Sequence, residues 1–134
     1  MKNKRRYVYC AGPIGQQKDR HRNVLAGIDE ANAVLALGAR PFLPHLSFYW
    51  DIIHIHNYED WMDFDFDWIT RCDAVYRFGG PSPGADREVA FARALGLPVF
   101  FSLDALQDWI DDPSTAPSML KLVKRFITME EVTP

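Results

Sequence analysis

Asp73-Ala74-Val75-Tyr76-Arg77-Phe78-Gly79-Gly80-Pro81-Ser82-Pro83-Gly84-Ala85-Asp86-Arg87-Glu88 is the stretch on which the fold turns. Asp73 to Phe78 reads as a short strand. Val89 to Leu95 reads as a helix that stops at Gly96, with Pro98 beyond it. Strand, glycine-rich turn and helix form half of a βαβ unit. The turn lies at the carboxyl end of its strand, where open α/β sheets bind ligands. Backbone N–H groups at a helix start favour an anion there. Glu88 is expected in the first helical turn, where the helix dipole and backbone donors would hold it ionised near neutral pH. An ionised, partly enclosed carboxylate serves as a nucleophile or stabilises a sugar cation.

The same alternation extends in both directions. Tyr7 to Ala11 predicts a first strand, broken by Gly12-Pro13, with a loop to Lys18. Asp19 to Leu37 has helical periodicity, with Val24, Ile28, Ala31 and Leu35 on one face. Asp19 fits an N-cap and Gly38 the glycine that ends the helix. Ala39 to Leu43 predicts the second strand, and His45 to Tyr58 a long aromatic loop. Glu59 to Arg71 predicts a second helix. Pro98 to Ser102 predicts a fourth strand, interior by its apolar content. Leu103 to Ile110 is a short amphipathic turn of helix, Asp111 to Pro117 a linker, and Met119 to Ile127 a last helix. Strands alternating with helices imply an α/β domain with a mostly parallel sheet covered on both faces.

The bulk properties narrow the function classes. The chain has 134 residues, a length for one domain spanning 1–134, and 48% of them are hydrophobic, enough for a core. A net charge of -3 argues against a nucleic-acid polymer as partner. The basic cluster from Lys2 to Arg6 reads as a solvated tail. Two cysteines, Cys10 and Cys72, make no disulfide framework and fit a reducing cytoplasm. No apolar run reaches membrane-spanning length, so no membrane partner is expected.

Beyond Glu88, three groups of residues carry chemical meaning. Ser82 and Gly84 offer a hydroxyl and bare backbone at a helix start, which suits a phosphate monoester. Asp65 falls within the apolar stripe Trp61, Phe64, Trp68, Cys72, whereas Asp60, Asp63 and Asp67 fall on a solvated face. A carboxylate among tryptophans is costly to bury, so its pKa should rise, as a proton donor requires. Tyr9 and the turn Gly12-Pro13-Ile14-Gly15 lie at the carboxyl end of the first strand, on the same sheet edge as the central loop. Lys18, Arg20 and Arg22 follow, and one of them could meet a phosphate. His45, His54 and His56 lack the spacing of a metal site and read as packing or base contacts.

Taken together, Tyr9-Cys10-Ala11-Gly12-Pro13-Ile14, Asp65 with Asp73, and Ser82-Pro83-Gly84 leading to Glu88 resemble the nucleoside 2-deoxyribosyltransferase superfamily over roughly residues 7 to 101. The resemblance implies a flavodoxin-like, Rossmann-like three-layer sandwich and cleavage of an N-glycosidic bond. It implies Glu88 as the group that attacks the anomeric carbon, Asp65 as the group that helps protonate the departing base, and Tyr9 beside the sugar. Ser82 matches the serine that holds a 5'-phosphate in the 2'-deoxynucleoside 5'-phosphate N-hydrolase branch, where the transferases carry an aspartate. With Gly12, Pro13, Ile14, Arg20 and Gly84 completing the substrate site, the expected reaction is hydrolysis of a 2'-deoxynucleoside 5'-monophosphate. Base exchange between deoxynucleosides and nucleotide binding without turnover are the alternatives. The resemblance implies no metal and no organic cofactor, a small nucleoside or nucleotide as substrate, and a homodimer or higher homo-oligomer. Two features depart from both branches: the loop His45 to Tyr58, and Met129 to Pro134, which lacks the aromatic tail of the transferases.

Overall fold

A computed structural model of the chain describes residues 6–15, 17–112 and 114. The helix expected over Met119–Ile127 and the segment from Met129 lie outside the described residues. The elements are β1 (Tyr7–Ala11), α1 (Gln17–Ala36), β2 (Arg40–Phe42), a 3-10 turn (Pro44–Leu46), α2 (Ser47–Ile53), α3 (Tyr58–Thr70), β3 (Ala74–Arg77), α4 (Pro83–Ala94), β4 (Val99–Phe100) and α5 (Leu103–Asp111). The strands form one sheet in the order β2-β1-β3-β4, and every pairing is parallel. This is the expected α/β architecture. No helix among the described residues is long and apolar enough to cross a membrane.

Strand residues alternate between two cores, which makes three layers. Val8, Cys10, Tyr76 and Phe78 meet Val34 of α1 and Leu106 of α5 on one face. Tyr9, Ala11 and Val75 meet Ile69 of α3 and Ala85 and Ala92 of α4 on the other. The chain leaves β1 toward β2 on one side and reaches β4 from β3 on the other. The loops after β1 and β3 therefore diverge, and a crevice opens between them at the topological switch point.

Several local expectations are corrected by packing. α1 starts at Gln17, so Asp19 sits in its first turn and is not the cap. Gly38 does take the left-handed conformation (φ 97) that ends the helix. The inward face of α1 is Val24, Gly27 and Val34, while Leu25, Ile28 and Leu35 are 49%, 39% and 49% exposed. The reason is close approach: a Cβ on Gly27 would stand 2.9 Å from the ring of His45. The bare glycine lets the helix lie against the buried His45 and Leu43, and the larger side chains rotate outward. His45 to Tyr58 is not a loop, since it contains the 3-10 turn and α2. β4 spans two residues and is an edge strand among the described residues, with Phe101 61% exposed. Arg6 is no solvated tail: it is fully buried, its guanidinium 4.6 Å from the centre of the Trp109 ring.

The crevice depends on glycine at the end of β1. A Cβ on Gly12 would land on the ring of Phe78, one residue past β3. Gly12→Ala should therefore destabilise the protein by about 1–3 kcal/mol through overpacking. Thermal unfolding of the purified variant checks this, and an unchanged midpoint would refute the contact.

Candidate active site

The crevice is a cavity of about 520 Å³ walled by the loop after β1, by α2 and α3, and by the start of α4. It brings together Gly12, Pro13, Ile14, Arg20, Asp65, Ser82, Gly84 and Glu88, while Tyr9 is fully buried against Glu88 and Lys18, Arg22, His45, His54 and His56 do not line it. Gly12, Pro13 and Ile14 line it from the loop after β1, Arg20 from α1, Asp65 from α3, and Ser82, Gly84 and Glu88 from the cap and body of α4.

Ser82 and Pro83 determine how α4 begins. Proline is tolerated at the first helical position, and the Ser82 side chain accepts from the N–H of Ala85 at 3.2 Å. The helix thus starts at Pro83, and Glu88 falls in its second turn, beyond the free N–H groups of the first. The first-turn acid is Asp86. Glu88 is 5% exposed and accepts a hydrogen bond from the Tyr9 hydroxyl. The expectation of an ionised Glu88 is overturned, because burial pushes its pKa up to about 8. The Tyr9 hydroxyl pulls it down, the negative charge of Asp65 raises it, and Arg77 lowers it.

Asp65 behaves as expected, on a different stripe. The residues that α3 buries are Met62, Asp65 and Ile69. Trp61 and Phe64 flank them half-buried, and Trp68 is 40% exposed with its ring stacked on Phe42 at 4.7 Å. Asp65 is 6% exposed, and its Oδ1 has no hydrogen-bond partner. Burial raises its pKa to about 7, and the Tyr9 hydroxyl lowers it. The Tyr9 phenol is itself pushed well above its ordinary value, by burial first and by Glu88 next, so it stays a donor. Two carboxyls with one phenol as common neighbour form a coupled pair that shares protons.

The loop positions have buried supports that sequence reasoning missed. His45 Nε2 bonds the Pro13 carbonyl at 3.0 Å, so that nitrogen carries the proton and donates. Burial lowers the His45 pKa to about 4 and keeps the ring neutral. Asn23 donates to the Ile14 carbonyl at 2.9 Å. Gly79 has φ 76, and a Cβ there would stand 2.7 Å from Pro13, so the two loops touch. Arg20 is 3.7 Å from Asp51 and donates to the Gly15 carbonyl at 3.3 Å. Asp51 also accepts from the Trp61 indole at 2.8 Å and the His56 N–H at 2.9 Å, which ties α1, α2 and α3 together at the cavity mouth. Tyr58 stands at the same mouth, its hydroxyl 3.2 Å from where a Cβ of Gly84 would be. Asp51 and Tyr58 fell in or beside the segment read as a loop, so nothing local marked them. His54 and His56 are exposed.

Open parallel α/β sheets bind ligands at this switch point, and here two buried carboxyls stand there. The chain belongs to the family described as a domain of unknown function, DUF4406, whose model matches residues 6–101. No curated protein matches it. Among solved structures it is similar to the 2-desoxiribosyltransferase from Leishmania mexicana, at 21% identity and a TM-score of 0.51, over 70% of this chain and 61% of that one. It is also similar to the 2-deoxyribosyltransferase from Bacillus psychrosaccharolyticus, at 21% identity and a TM-score of 0.51, over 69% of each chain. The shared feature at this identity is the fold, which agrees with the resemblance read from the motifs.

The buried pair has a consequence for stability. Both carboxyls hold a proton more tightly folded than unfolded, so the stability they contribute is complete below 3.8 and 4.5. It is lost as pH rises through about 7 and about 8. His45 opposes stability only below its ordinary 6.5. The midpoint of thermal unfolding should therefore fall between about pH 6.5 and pH 9, and Glu88→Gln should exceed the parent at the alkaline end. Parent and variant melting in parallel across that range would contradict the buried pair.

Proposed function

We propose that this chain hydrolyses the N-glycosidic bond of a 2'-deoxynucleoside 5'-monophosphate. The observation that carries the reading is the cluster of Glu88 and Asp65 in the cavity with Tyr9 buried against Glu88, and the Ser82-capped start of α4 lining the same cavity. The names of the two structural relatives support an enzyme acting on this type of bond.

In this reading the 5'-phosphate sits at the start of α4, where Ser82 and the bare backbone of Gly84 receive it and the helix dipole favours its charge. That places the sugar over Glu88. In the singly protonated pair Glu88 is the tighter holder of the proton, and the reaction draws on the form that carries it on Asp65. The bound base takes the proton from Asp65 in that form, so the leaving group departs neutral. Glu88, left as the carboxylate and held by the Tyr9 hydroxyl, bonds to C1' or stabilises the oxocarbenium-like state. Water then attacks C1', its proton returns to Asp65, and deoxyribose 5-phosphate is released. A second reading, transfer of the sugar to another base, is favoured by the relatives' names. It differs only in which nucleophile resolves the intermediate.

The reaction needs one carboxyl ionised and one protonated. Below about 7 both tend to be protonated, and above about 8 both tend to be ionised. The profile of kcat/KM should be a bell with its maximum between those values. A chromatographic assay of base release from nucleotides and matched nucleosides tests this. Glu88→Ala should lose activity by a factor on the order of 10³ or more, and a fully active Glu88→Ala would refute the reading. Ser82→Asp keeps a good helix cap, so its stability should be near the parent's while monophosphates are repelled. Incorporation of an added free base into a new nucleoside would move the chain to the transferase reading.

We also propose a homo-oligomer in the cytoplasm. Leu25, Ile28 and Leu35 on α1, and Ile52, Ile53 and Ile55 at and after α2, are all exposed large apolar residues. Light scattering during gel filtration should give at least twice the monomer mass, and a monomer would refute it.

A further inference from the structure

Arg77 ends β3 on the sheet face that carries Tyr9, and it is 8% exposed. A guanidinium is expensive to bury unless its donors are met. Here they are met by one short segment. Nη1 donates to the carbonyl of Phe78 and reaches that of Gly79 at 3.5 Å. Nη2 donates to the carbonyl of Gly80 at 2.7 Å and stands 3.8 Å from Asp86 in the first turn of α4. Three successive carbonyls thus converge on one planar group, a geometry that a lysine ammonium cannot reproduce. The other side of the turn is closed as well. Gly79, in the left-handed conformation, lies against Pro13 so closely that a side chain would collide with it.

The turn is therefore wedged between a cation behind it and the first loop in front. Two residues past Gly80 comes Ser82, the cap of α4, and six further Glu88. We propose that Arg77 is a positioning residue of this site. By clamping the carbonyls of Phe78, Gly79 and Gly80 it sets where α4 enters the cavity, and so where Ser82 and Glu88 stand. Arg77 touches none of the atoms assigned to the chemistry and acts through the turn. It also has an electrostatic effect. Glu88 is faced by Tyr9 from β1, Asp65 from α3 and Arg77 from β3, and Arg77 is the cation among them.

The kinetic consequences rest on the hydrolase reading; the clamp itself does not. The test compares the full chain with Arg77→Lys, Arg77→Gln and Asp86→Asn. Amide hydrogen exchange across residues 78–86 and the carboxyl ¹³C titration of Glu88 are read first, without substrate. Exchange should rise in both Arg77 variants, and the Glu88 titration should move to higher pH in Arg77→Gln but not in Arg77→Lys. Asp86→Asn should match the parent, because the carbonyls remain clamped. With a deoxynucleoside monophosphate, both Arg77 variants should lose at least about tenfold in kcat/KM, as displaced reacting groups do. Part of that loss should appear as a raised KM, and the alkaline limb should shift only in Arg77→Gln. A brace that merely supports folding would lower the melting midpoint and leave KM and the limb of the folded protein unmoved. That result, or unchanged exchange in the Lys variant, overturns the proposal. If Arg77→Gln does not fold, Arg77→Lys decides. A parent without turnover would defeat the hydrolase reading and leave the exchange and titration data to judge the clamp.

Discussion

The hydrogen bond from the Tyr9 hydroxyl to Glu88 joins the first strand to the fourth helix across 79 positions of sequence. The rest of the site follows from keeping that bond dry. A carboxyl without water is costly, and two such groups near each other are costlier, so the protein must supply a donor and share protons between them. Tyr9 is that donor. Its ring is stacked at 5.6 Å on Phe42, which lies in turn on Trp68, so the phenol is held by an aromatic column. Glu88 and Asp65 arrive from separate helices because α3 and α4 pack side by side on the face where Tyr9 points.

The parallel sheet makes this convergence possible. In a doubly wound sheet the connections on either side of the switch point run away from each other, and the two loops there face an open crevice. The loops would be slack if only their own residues held them. They are secured from behind, the first by neutral His45 on the Pro13 carbonyl and the second by Arg77 on three carbonyls. Both supports are buried polar groups, whose unmet donors would be penalised by desolvation. That penalty makes the loop geometry stiff.

The cost of such a site falls on stability. Two raised carboxyls and one depressed histidine each disfavour the folded state on one side of neutrality. A protein that kept only its fold would replace them with apolar residues. The presence of the two carboxyls in one cavity is the physical reason to read the cavity as functional, since perturbed groups gather where chemistry needs them.

The sequence by itself determined the α/β class, the parallel sheet, the position of the crevice and the grouping of Asp65, Ser82, Gly84 and Glu88 along it. These rest on local signals: strand runs, glycine turns, and a carboxylate out of place on an apolar face. Only the tertiary structure decided the burial of Glu88, the rotation of α1 around Gly27, the helix hidden in His45 to Tyr58 and the contacts of His45, Asp51 and Arg77. Each of these depends on what another element brings against the residue. Desolvation and close approach are set by neighbours tens of positions away, and periodicity along the chain carries no record of them.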